Sequence, residues 1–327
     1  MSKLGVVLPF SAFPGREMIA LAQEAETRGY DTAWAAEASG ADALMTLAVI
    51  AVHTSRLRVA SGIVPIQTRT PIVLAMAATT LGHLAPGRVA LGVGVSSPII
   101  VGQWHGLPFR KPLAHMREAV QVLRLALSGE RVNFEGEFYR IKNFRLSLPS
   151  TPVRIYLGAL GPKMLELAGE VADGVLLNWL APETVGASIR HIETGARRAG
   201  RGLGDFEIAA FVRTCVTDDE APARQWLARD ITGYAIVDAY AEFFRSSGFT
   251  TEVDAINAAW KAGDRAGAVS KISPRVLDGL GVIGPAEFCR ERVAQFAKAG
   301  LTMPVVMPFS PDADPRPSLL RTIRSFP

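Results

Sequence analysis

The stretch LGVVLPF at positions 4–10, followed by REMIALAQEAETR at 16–28 and DTAWAAE at 31–37, contains the pattern that decides the fold. Two short apolar runs flank a longer segment whose apolar residues recur at helical spacing. Such runs are typical of parallel strands that are buried on both faces and joined by crossover helices. The start of the chain therefore predicts a first strand–helix–strand unit.

The same alternation continues along the chain. Further strands are predicted at 57–63, 88–95, 153–160, 174–180, 206–217 and 302–309. Helices are predicted at 41–53, 71–84, 113–127, 164–172, 182–198, 284–298 and 318–325. Eight strands alternating with helices predict an α/β fold of the (β/α)8 TIM-barrel type. Counting elements alone leaves an open doubly wound sheet as an alternative.

Two segments interrupt this rhythm. Residues 132–148 alternate polar and apolar side chains around a glycine, which predicts an antiparallel hairpin within an insertion at 130–150, after the fourth helix. Residues 219–275 are helical in pattern throughout and too long for an ordinary connection after the seventh strand. We expect this second insertion to cover one barrel end or to form a dimer contact, and the whole of 1–327 to be one barrel domain.

Composition excludes several classes of protein. The 327 residues are 49% hydrophobic and 20% charged, which allows a large core and is unlike a disordered chain. The net charge of +4 is compatible with an anionic ligand, but the basic residues are scattered and form no nucleic-acid-binding run. We expect no membrane span and no signal peptide, and therefore a soluble cytoplasmic protein. Cys215 and Cys289 lack neighbours at ligand spacing, so neither a disulfide nor a metal site is expected.

In a barrel of this type, the chemistry lies at the carboxyl ends of the strands. The strand ends here are Glu37, Gly62-Ile63, Gly94–Ser97, Gly158–Gly161 and Asn178-Trp179. Most of these residues are small or apolar, which does not suit hydrolysis by paired acids and bases. They suit a flat, weakly polar cofactor that brings its own reactivity.

Two glycine-rich turns are candidates for phosphate binding. Gly158–Gly161 with Pro162 forms a strand-to-helix turn whose backbone N–H groups could cradle a phosphate, although a tight turn alone would also need glycine. The stretch GVGVSS at 92–97 lacks the third glycine of a dinucleotide-binding loop. We therefore do not expect NAD.

Three side chains are candidates for proton transfer. Glu37 ends an apolar strand, where partial burial would raise its pKa; the alternative is an ion pair with a basic residue such as Arg69. His105 lies in the loop after the fourth strand, where it either reaches a ligand or stabilises the loop together with Trp104. Ser97 ends that strand. The other four histidines lie in or at the ends of predicted helices, where surface or capping roles are the default.

The order and spacing of six motifs resemble those of the luciferase-like superfamily. They are GYDTAWAAEA from residue 29, GADAL from 40, SGIVPIQTRTP from 61, LAPGRVALGVGVS from 84, GALGP from 158 and ADG from 172. The resemblance runs from Lys3 to about Phe309 and is closest to the branch that uses the deazaflavin coenzyme F-420, which includes methylenetetrahydromethanopterin reductase.

This resemblance implies several features of the site. A non-prolyl cis peptide would lie between Gly62 and Ile63 and back the deazaflavin ring, and the anionic tail of the coenzyme would lie toward the barrel rim. Basic residues there, such as Arg110 and Lys111, are candidates for binding this tail on the ground of charge alone. A homodimer is usual among such proteins. The expected catalytic residues are Glu37, Ser97 and His105. The expected cofactor-binding residues are Gly62, Ile63, Val64, Gly94, Val95, Ser96, Ser97, Gly158, Ala159, Leu160, Gly161, Pro162 and Asn178.

The pattern also differs from part of the family. The related glucose-6-phosphate dehydrogenases have an Asp-His pair after strand two and a Glu after strand four, where this chain has Glu37-Ala38 and Ser97. A sugar-phosphate substrate and an alcohol-oxidising mechanism are therefore not expected. The function expected is hydride transfer between F-420 (8-hydroxy-5-deazaflavin) and a small organic substrate. The alternatives are an FMN-dependent monooxygenase and a barrel that binds a cofactor without turnover.

Overall fold

The computed structural model describes residues 3–327 and contains a closed barrel of parallel strands. Its strands in chain order are β1 (Gly5–Val7), β2 (Thr32–Ala35), β3 (Arg58–Ser61), β4 (Val64–Pro65), β5 (Val89–Gly94), β6 (Val132–Glu135), β7 (Arg140–Phe144), β8 (Arg154–Gly158), β9 (Gly174–Asn178), β10 (Glu207–Val216), β11 (Gly281–Gly284) and β12 (Met303–Pro308). Strands β1, β2, β3, β5, β8, β9, β10 and β12 pair in a ring, because β10 pairs with both β9 and β12, and β12 pairs with β1. The predicted eight-stranded barrel is confirmed, and the open sheet is excluded.

Helices surround this ring. They are α1 (Arg16–Arg28), α2 (Ala43–His53), α3 (Pro71–Leu84), α4 (Pro112–Leu127), α5 (Pro162–Val171), α6 (Pro182–Arg198), α7 (Glu220–Ala235), α8 (Asp238–Phe244), α9 (Thr250–Lys261), α10 (Arg265–Ser270), α11 (Pro274–Leu280), α12 (Ala286–Lys298) and α13 (Arg316–Arg324). The ends of α1, α3 and α6 match the sequence predictions residue for residue, because their end signals are strong. Proline opens α3 and α6, and Gly29 ends α1 in the left-handed conformation at φ 97°.

Three short elements were not predicted. Strand β4 pairs with β5, strand β11 pairs with β10, and residues Ile99–Trp104 form a π-helical turn after β5. These segments are too short for hydrophobic periodicity to reveal them. The predicted start of a helix at Gly284 was two residues too early, because Gly284 belongs to β11 and Pro285 precedes the first residue of α12.

Alternate residues of the strands fill the barrel interior. The interior cluster contains Trp34, whose ring lies 5.9 Å from both Tyr156 and Phe211, measured between ring centroids. Gly5 is required beneath this ring, because a Cβ there would lie 2.8 Å from Trp34 Nε1. The opposite face of the strands packs against the surrounding helices in a larger apolar cluster. The barrel is therefore a packed core, and ligands have access only at its ends.

The predicted hairpin is confirmed as the antiparallel pair β6 and β7. The Glu118 carboxylate of α4 accepts backbone N–H groups of Glu137, Phe138 and Tyr139 at 2.8, 2.8 and 3.3 Å. The His115 ring stacks on Phe138 at 4.2 Å between ring centroids. These contacts fix the hairpin to the outer helical layer.

Helices α7–α11 form the second insertion and have an apolar cluster of their own. This cluster includes Trp179 and Phe309, which follow the carboxyl ends of β9 and β12. The Trp226 ring stacks on Phe309 at 4.8 Å between ring centroids, and Trp179 meets Tyr234 at 5.0 Å. The insertion thus lies against the carboxyl end of the barrel, which is one of the two positions that the sequence allowed. Within residues 3–327 no helix is long and apolar enough to cross a membrane.

Candidate active site at the carboxyl end of the barrel

The peptide between Gly62 and Ile63 closes the barrel interior at the end of β3. It is cis, as the resemblance to the luciferase-like superfamily implied. A Cβ on Gly62 would lie 2.5 Å from Phe211 Cζ and 2.9 Å from Leu176 Cδ2, both of which belong to the interior cluster. Only glycine therefore lets the main chain lie directly on the packed interior at this position.

The half-buried Ile63 side chain occupies the space that neighbouring glycines leave free. A Cβ on Gly94 would lie 2.6 Å from Ile63 Cδ1, and one on Gly158 would lie 3.0 Å from its Cγ2. We call Gly62, Ile63, Gly94 and Gly158 the glycine floor. Gly94 and Gly158 leave the space that the Ile63 side chain fills. The surface formed in this way is apolar and lies close to the main chain.

The turn after β5 brings Ser96 and Ser97 beside the floor. Ser96 has a positive φ of 58°, and Ser97 Oγ accepts the Ile100 N–H at 3.2 Å, which opens the π-helical turn. Val95, Ser96 and Ser97 are half-buried, so they remain accessible at the mouth. His105 ends the turn with an exposed imidazole that forms no hydrogen bond to any described residue. The Ser97 side chain is thus engaged as an acceptor, whereas the His105 side chain has no hydrogen-bond partner within residues 3–327.

The turn after β8 lies on the other side of Ile63. Gly161 and Pro162 are exposed, and α5 begins there without a side-chain cap on its N-terminus. Unsatisfied N–H groups and the positive end of the helix dipole favour an anion at such a position. Leu160 is half-buried, whereas Ala159 packs into the layer between barrel and helices. The glycines of this turn and Pro162 are thus more accessible than Ala159, and the role of the turn in cofactor binding remains a prediction.

Val64 differs in burial from most of the other expected cofactor-binding residues. Its side chain is 0% exposed and belongs to the apolar layer outside the barrel, on the short strand β4. Because β4 alternates relative to Ile63, the Val64 side chain points away from the mouth. A contact between Val64 and a cofactor would have to involve its main chain, and a role for Val64 in cofactor binding remains a prediction.

Glu37 lies in a network of ionic contacts. One carboxylate oxygen pairs with Arg69, and the other accepts the Ala43 N–H at 3.1 Å at the start of α2. Arg69 also pairs with Asp42, which caps the same helix through the Met45 N–H. This is the ion pair that the sequence offered as the alternative to a proton relay. A catalytic role for Glu37 remains a prediction.

Arg110 and Lys111, the candidates for binding an acidic coenzyme tail, lie near the hairpin. Both pair with Glu137, at 3.0 and 2.9 Å. These two cations hold the pKa of the Glu137 carboxyl below its usual range. One of their two positive charges is thus already balanced, and their role in coenzyme binding remains a prediction.

Sequence reasoning missed a polar cluster around Arg213. Arg213 Nη1 donates to Asn178 Oδ1 at 2.8 Å, and its Nε donates to Asp230 Oδ2 of α7 at 3.0 Å. Asn178 Nδ2 donates to the Tyr240 hydroxyl at 3.3 Å, and burial raises the pKa of Tyr240 to about 12. The available signal was an arginine in the interior of the strand 206–217, whose other charged residue, Glu207, lies at its start. The cluster connects Asn178, an expected ligand-binding residue, to the helical insertion.

The cysteines have no part in this site. Burial raises the pKa of Cys215 to about 11 and that of Cys289 to about 12, so both stay protonated thiols. Within the described part of the chain, no three His, Cys, Asp or Glu side chains come together as metal ligands would. The mouth is therefore an apolar floor with hydrogen-bond donors at its rim, which is the form of a cofactor site.

A sequence profile of the family described as luciferase-like monooxygenase matches residues 2–303. The chain belongs to this family. The family resemblance inferred from the motifs is confirmed.

Several luciferase-like relatives are similar over nearly the whole chain. An oxidoreductase of Mycobacterium tuberculosis, provisionally named as coenzyme F-420-dependent, is 34% identical over 93% of this chain and 94% of its own length. The 5,10-methylenetetrahydromethanopterin reductase of Archaeoglobus fulgidus is 28% identical over 88% of each chain. The solved F-420-dependent tetrahydromethanopterin reductase of Methanopyrus kandleri has a TM-score of 0.81 and 25% identity, covering 99% of this chain and 97% of that one. These similarities place the chain with the oxidoreductase branch that the motifs predicted.

Proposed function

We propose that this luciferase-like oxidoreductase transfers a hydride between coenzyme F-420 and a small organic substrate. The observation that carries the proposal is the glycine floor, on which Ile63 and the Gly62–Ile63 main chain form an apolar surface at the barrel mouth. A planar redox ring can lie flat on such a surface, where it would contact main chain and the Ile63 side chain. The names of the relatives support F-420 as the cofactor.

The residues at the rim fit the rest of this cofactor. The Gly94–Ser97 turn and the uncapped start of α5 after Gly161 would hold its phosphate through backbone N–H groups. Asn178 would contact the ring edge. When bound, F-420 supplies the hydride chemistry, so the chain has to bind and orient the two reactants and to keep water away.

The proton that accompanies the hydride needs a carrier of its own. We assign this role to His105, because its imidazole is exposed and unpaired within the described chain, while Glu37 and Ser97 are engaged in hydrogen bonds. With menadione as a probe acceptor for reduced F-420, His105→Gln should lower turnover by about a hundredfold, the lower end of the range of general acid–base effects. Glu37→Gln is the comparison, and a larger loss there would return the role to Glu37.

Titration of the purified chain with F-420 and with FMN tests the cofactor. Visible absorbance should show F-420 binding at least about tenfold tighter than FMN, a difference of roughly 1.4 kcal/mol. Tighter binding of FMN would contradict the proposal and support a monooxygenase. Tight F-420 binding without reduction of any acceptor would support a barrel that binds the cofactor but does not turn over.

We also propose that the chain forms a homodimer through α2 and α3. Apolar side chains on these adjacent helices remain exposed, notably Met45 at 68%, Val52 at 53% and Met76 at 51%. Exposed apolar faces of this kind are typical of protein interfaces. Light scattering of the wild type should give a mass twice the 35.0 kDa of one chain. The Met45→Asp/Met76→Asp variant should give the mass of a single chain. A monomeric wild-type chain would refute the dimer.

A further inference from the structure

Arg213 is a buried cation at the barrel mouth that hydride transfer, as described so far, does not use. Ala209 and Phe211 of β10 point into the barrel, so alternation makes Arg213 the next inward residue. It lies about 6.6 Å further along the strand than Phe211. Because Phe211 lies directly under Gly62, Arg213 is one layer closer to the opening than the underside of the glycine floor.

Its guanidinium is held in one orientation. Asp230 binds Nε at 3.0 Å, and Asn178 binds Nη1 at 2.8 Å. The guanidinium carbon lies 3.2 Å from the ring centroid of Trp179 and 5.3 Å from that of Tyr234. A side chain that is already ordered in this way loses little conformational entropy when it binds a ligand.

One end of this guanidinium is unused. The Nη2 atom donates no hydrogen bond within residues 3–327, although the side chain is only 3% exposed. Trp179 Nε1 is sealed from solvent and has no hydrogen-bond partner, but Arg213 Nη2 is not sealed in this way. Nη2 therefore keeps a small contact with solvent, and its N–H groups are free to donate.

The ion pair between Arg213 and Asp230 favours an uncharged ligand at Nη2. Asp230 already pairs with Arg213, so the guanidinium offers directed N–H donors without a net positive charge. A neutral acceptor oxygen suits such donors, whereas a carboxylate would add an unpaired negative charge. We propose that Arg213 Nη2 binds a carbonyl oxygen of the substrate, which makes the substrate a carbonyl compound. This inference rests on the proposed function, in which the substrate lies over the glycine floor.

The test compares Arg213→Lys and Arg213→Gln with Arg265→Gln in the F-420-loaded protein. Lysine keeps the charge opposite Asp230 but lacks the fork of donors, so it separates loss of Nη2 from loss of fold. Arg265 is the matched control, because its guanidinium also stacks on a tryptophan, Trp260, at 3.7 Å, but on the surface. The probes are benzamide, which has a carbonyl oxygen, and benzylamine, which has none; binding is measured by ligand-observed NMR, and circular dichroism checks folding.

Benzamide should bind the wild type and Arg265→Gln equally, and bind both Arg213 variants at least about tenfold more weakly, as loss of a charged hydrogen bond predicts. Benzylamine binding should not depend on Arg213. Equal benzamide binding by Arg213→Lys, or no binding to the wild type, would overturn the inference. A tenfold loss of F-420 affinity in Arg213→Lys would also overturn it, because Nη2 would then serve the cofactor. Failure of the wild type to bind F-420 refutes the proposed function instead.

Discussion

The two ends of the barrel are built from the same strands but treat their polar groups in opposite ways. At the amino end, the Glu207 carboxylate accepts hydrogen bonds from Lys3 Nζ at 2.6 Å and from Arg58 Nη1 and Nη2 at 2.9 and 2.8 Å. It also accepts one from the Tyr156 hydroxyl. At the carboxyl end, His105 and one nitrogen of Arg213 have no partner in residues 3–327. One end satisfies its charges internally, and the other leaves donors available.

This contrast separates stability from binding along individual strands. In β10 the inward residues run from Glu207 through Ala209 and Phe211 to Arg213, that is, from a closed ion cluster through the apolar interior to the mouth. Buried charges that are fully paired hold the fold together, whereas unpaired donors beside a cleft bind ligands. Substitutions at the amino end should therefore change stability without changing F-420 affinity, and those at the mouth should change F-420 affinity with a smaller change in stability.

The largest effect is expected for Glu207→Gln. The Glu207 side chain is 6% exposed and three strands share it, so its loss leaves Arg58 without its carboxylate. Breaking a buried ion pair costs about 3–5 kcal/mol, and we expect the free energy of unfolding in urea to fall by roughly this amount. Asp205→Asn is the control, since Asp205 pairs with Arg154 but is 91% exposed. Loss of F-420 binding by folded Glu207→Gln would break the division between the two ends.

Acid should remove the same contribution. Arg58 and Lys3 lower the pKa of Glu207 from an ordinary 4.5 to about 2 against the opposing effect of burial. A lowered pKa in the folded state means stability that is complete above pH 4.5 and is lost as pH falls toward 2, about 3 kcal/mol for this group. The difference in unfolding free energy between wild type and Glu207→Gln in urea should therefore be about 2 kcal/mol smaller at pH 3 than at pH 6. A constant difference between them would mean that Glu207 is not the titrating group.

A smaller change in stability, with a clear change in binding, is expected for Gly94→Ala. The new Cβ would lie 2.6 Å from Ile63, which can only move into the mouth. We expect a cost of about 1 kcal/mol in stability and about a tenfold loss of F-420 affinity, because the floor would no longer be flat. Gly40→Ala is the control, since nothing lies within 4 Å of a Cβ there. Unchanged F-420 affinity would show that the ring does not rest on Ile63.

The architecture could be predicted from the sequence because its signals are local. Each strand is a short apolar run, and the helices carry their own end signals, as Pro71 and Pro182 show. The polar clusters could not be predicted, because their members come together only when the barrel closes: Arg58 and Glu207 are 149 positions apart. The burial of the Val64 side chain could not be predicted either, because β4 was too short to be recognised.

The smallest effect on stability is expected at Glu37. This variant also tests whether Glu37 belongs to the ligand-binding end of the barrel. Its side chain is 14% exposed and its partner Arg69 is 19% exposed, with Asp42 as a second partner for the same guanidinium. Because Asp42 can keep Arg69 paired, Glu37→Gln should cost only about 1 kcal/mol, as for a partly exposed pair. Thermal unfolding at pH 7 measures this, and Asp42→Asn should cost no more. If Glu37→Gln left stability unchanged but abolished turnover with menadione, Glu37 would be a catalytic residue of the binding end. Its ion pair with Arg69 would then describe only the enzyme without bound substrate.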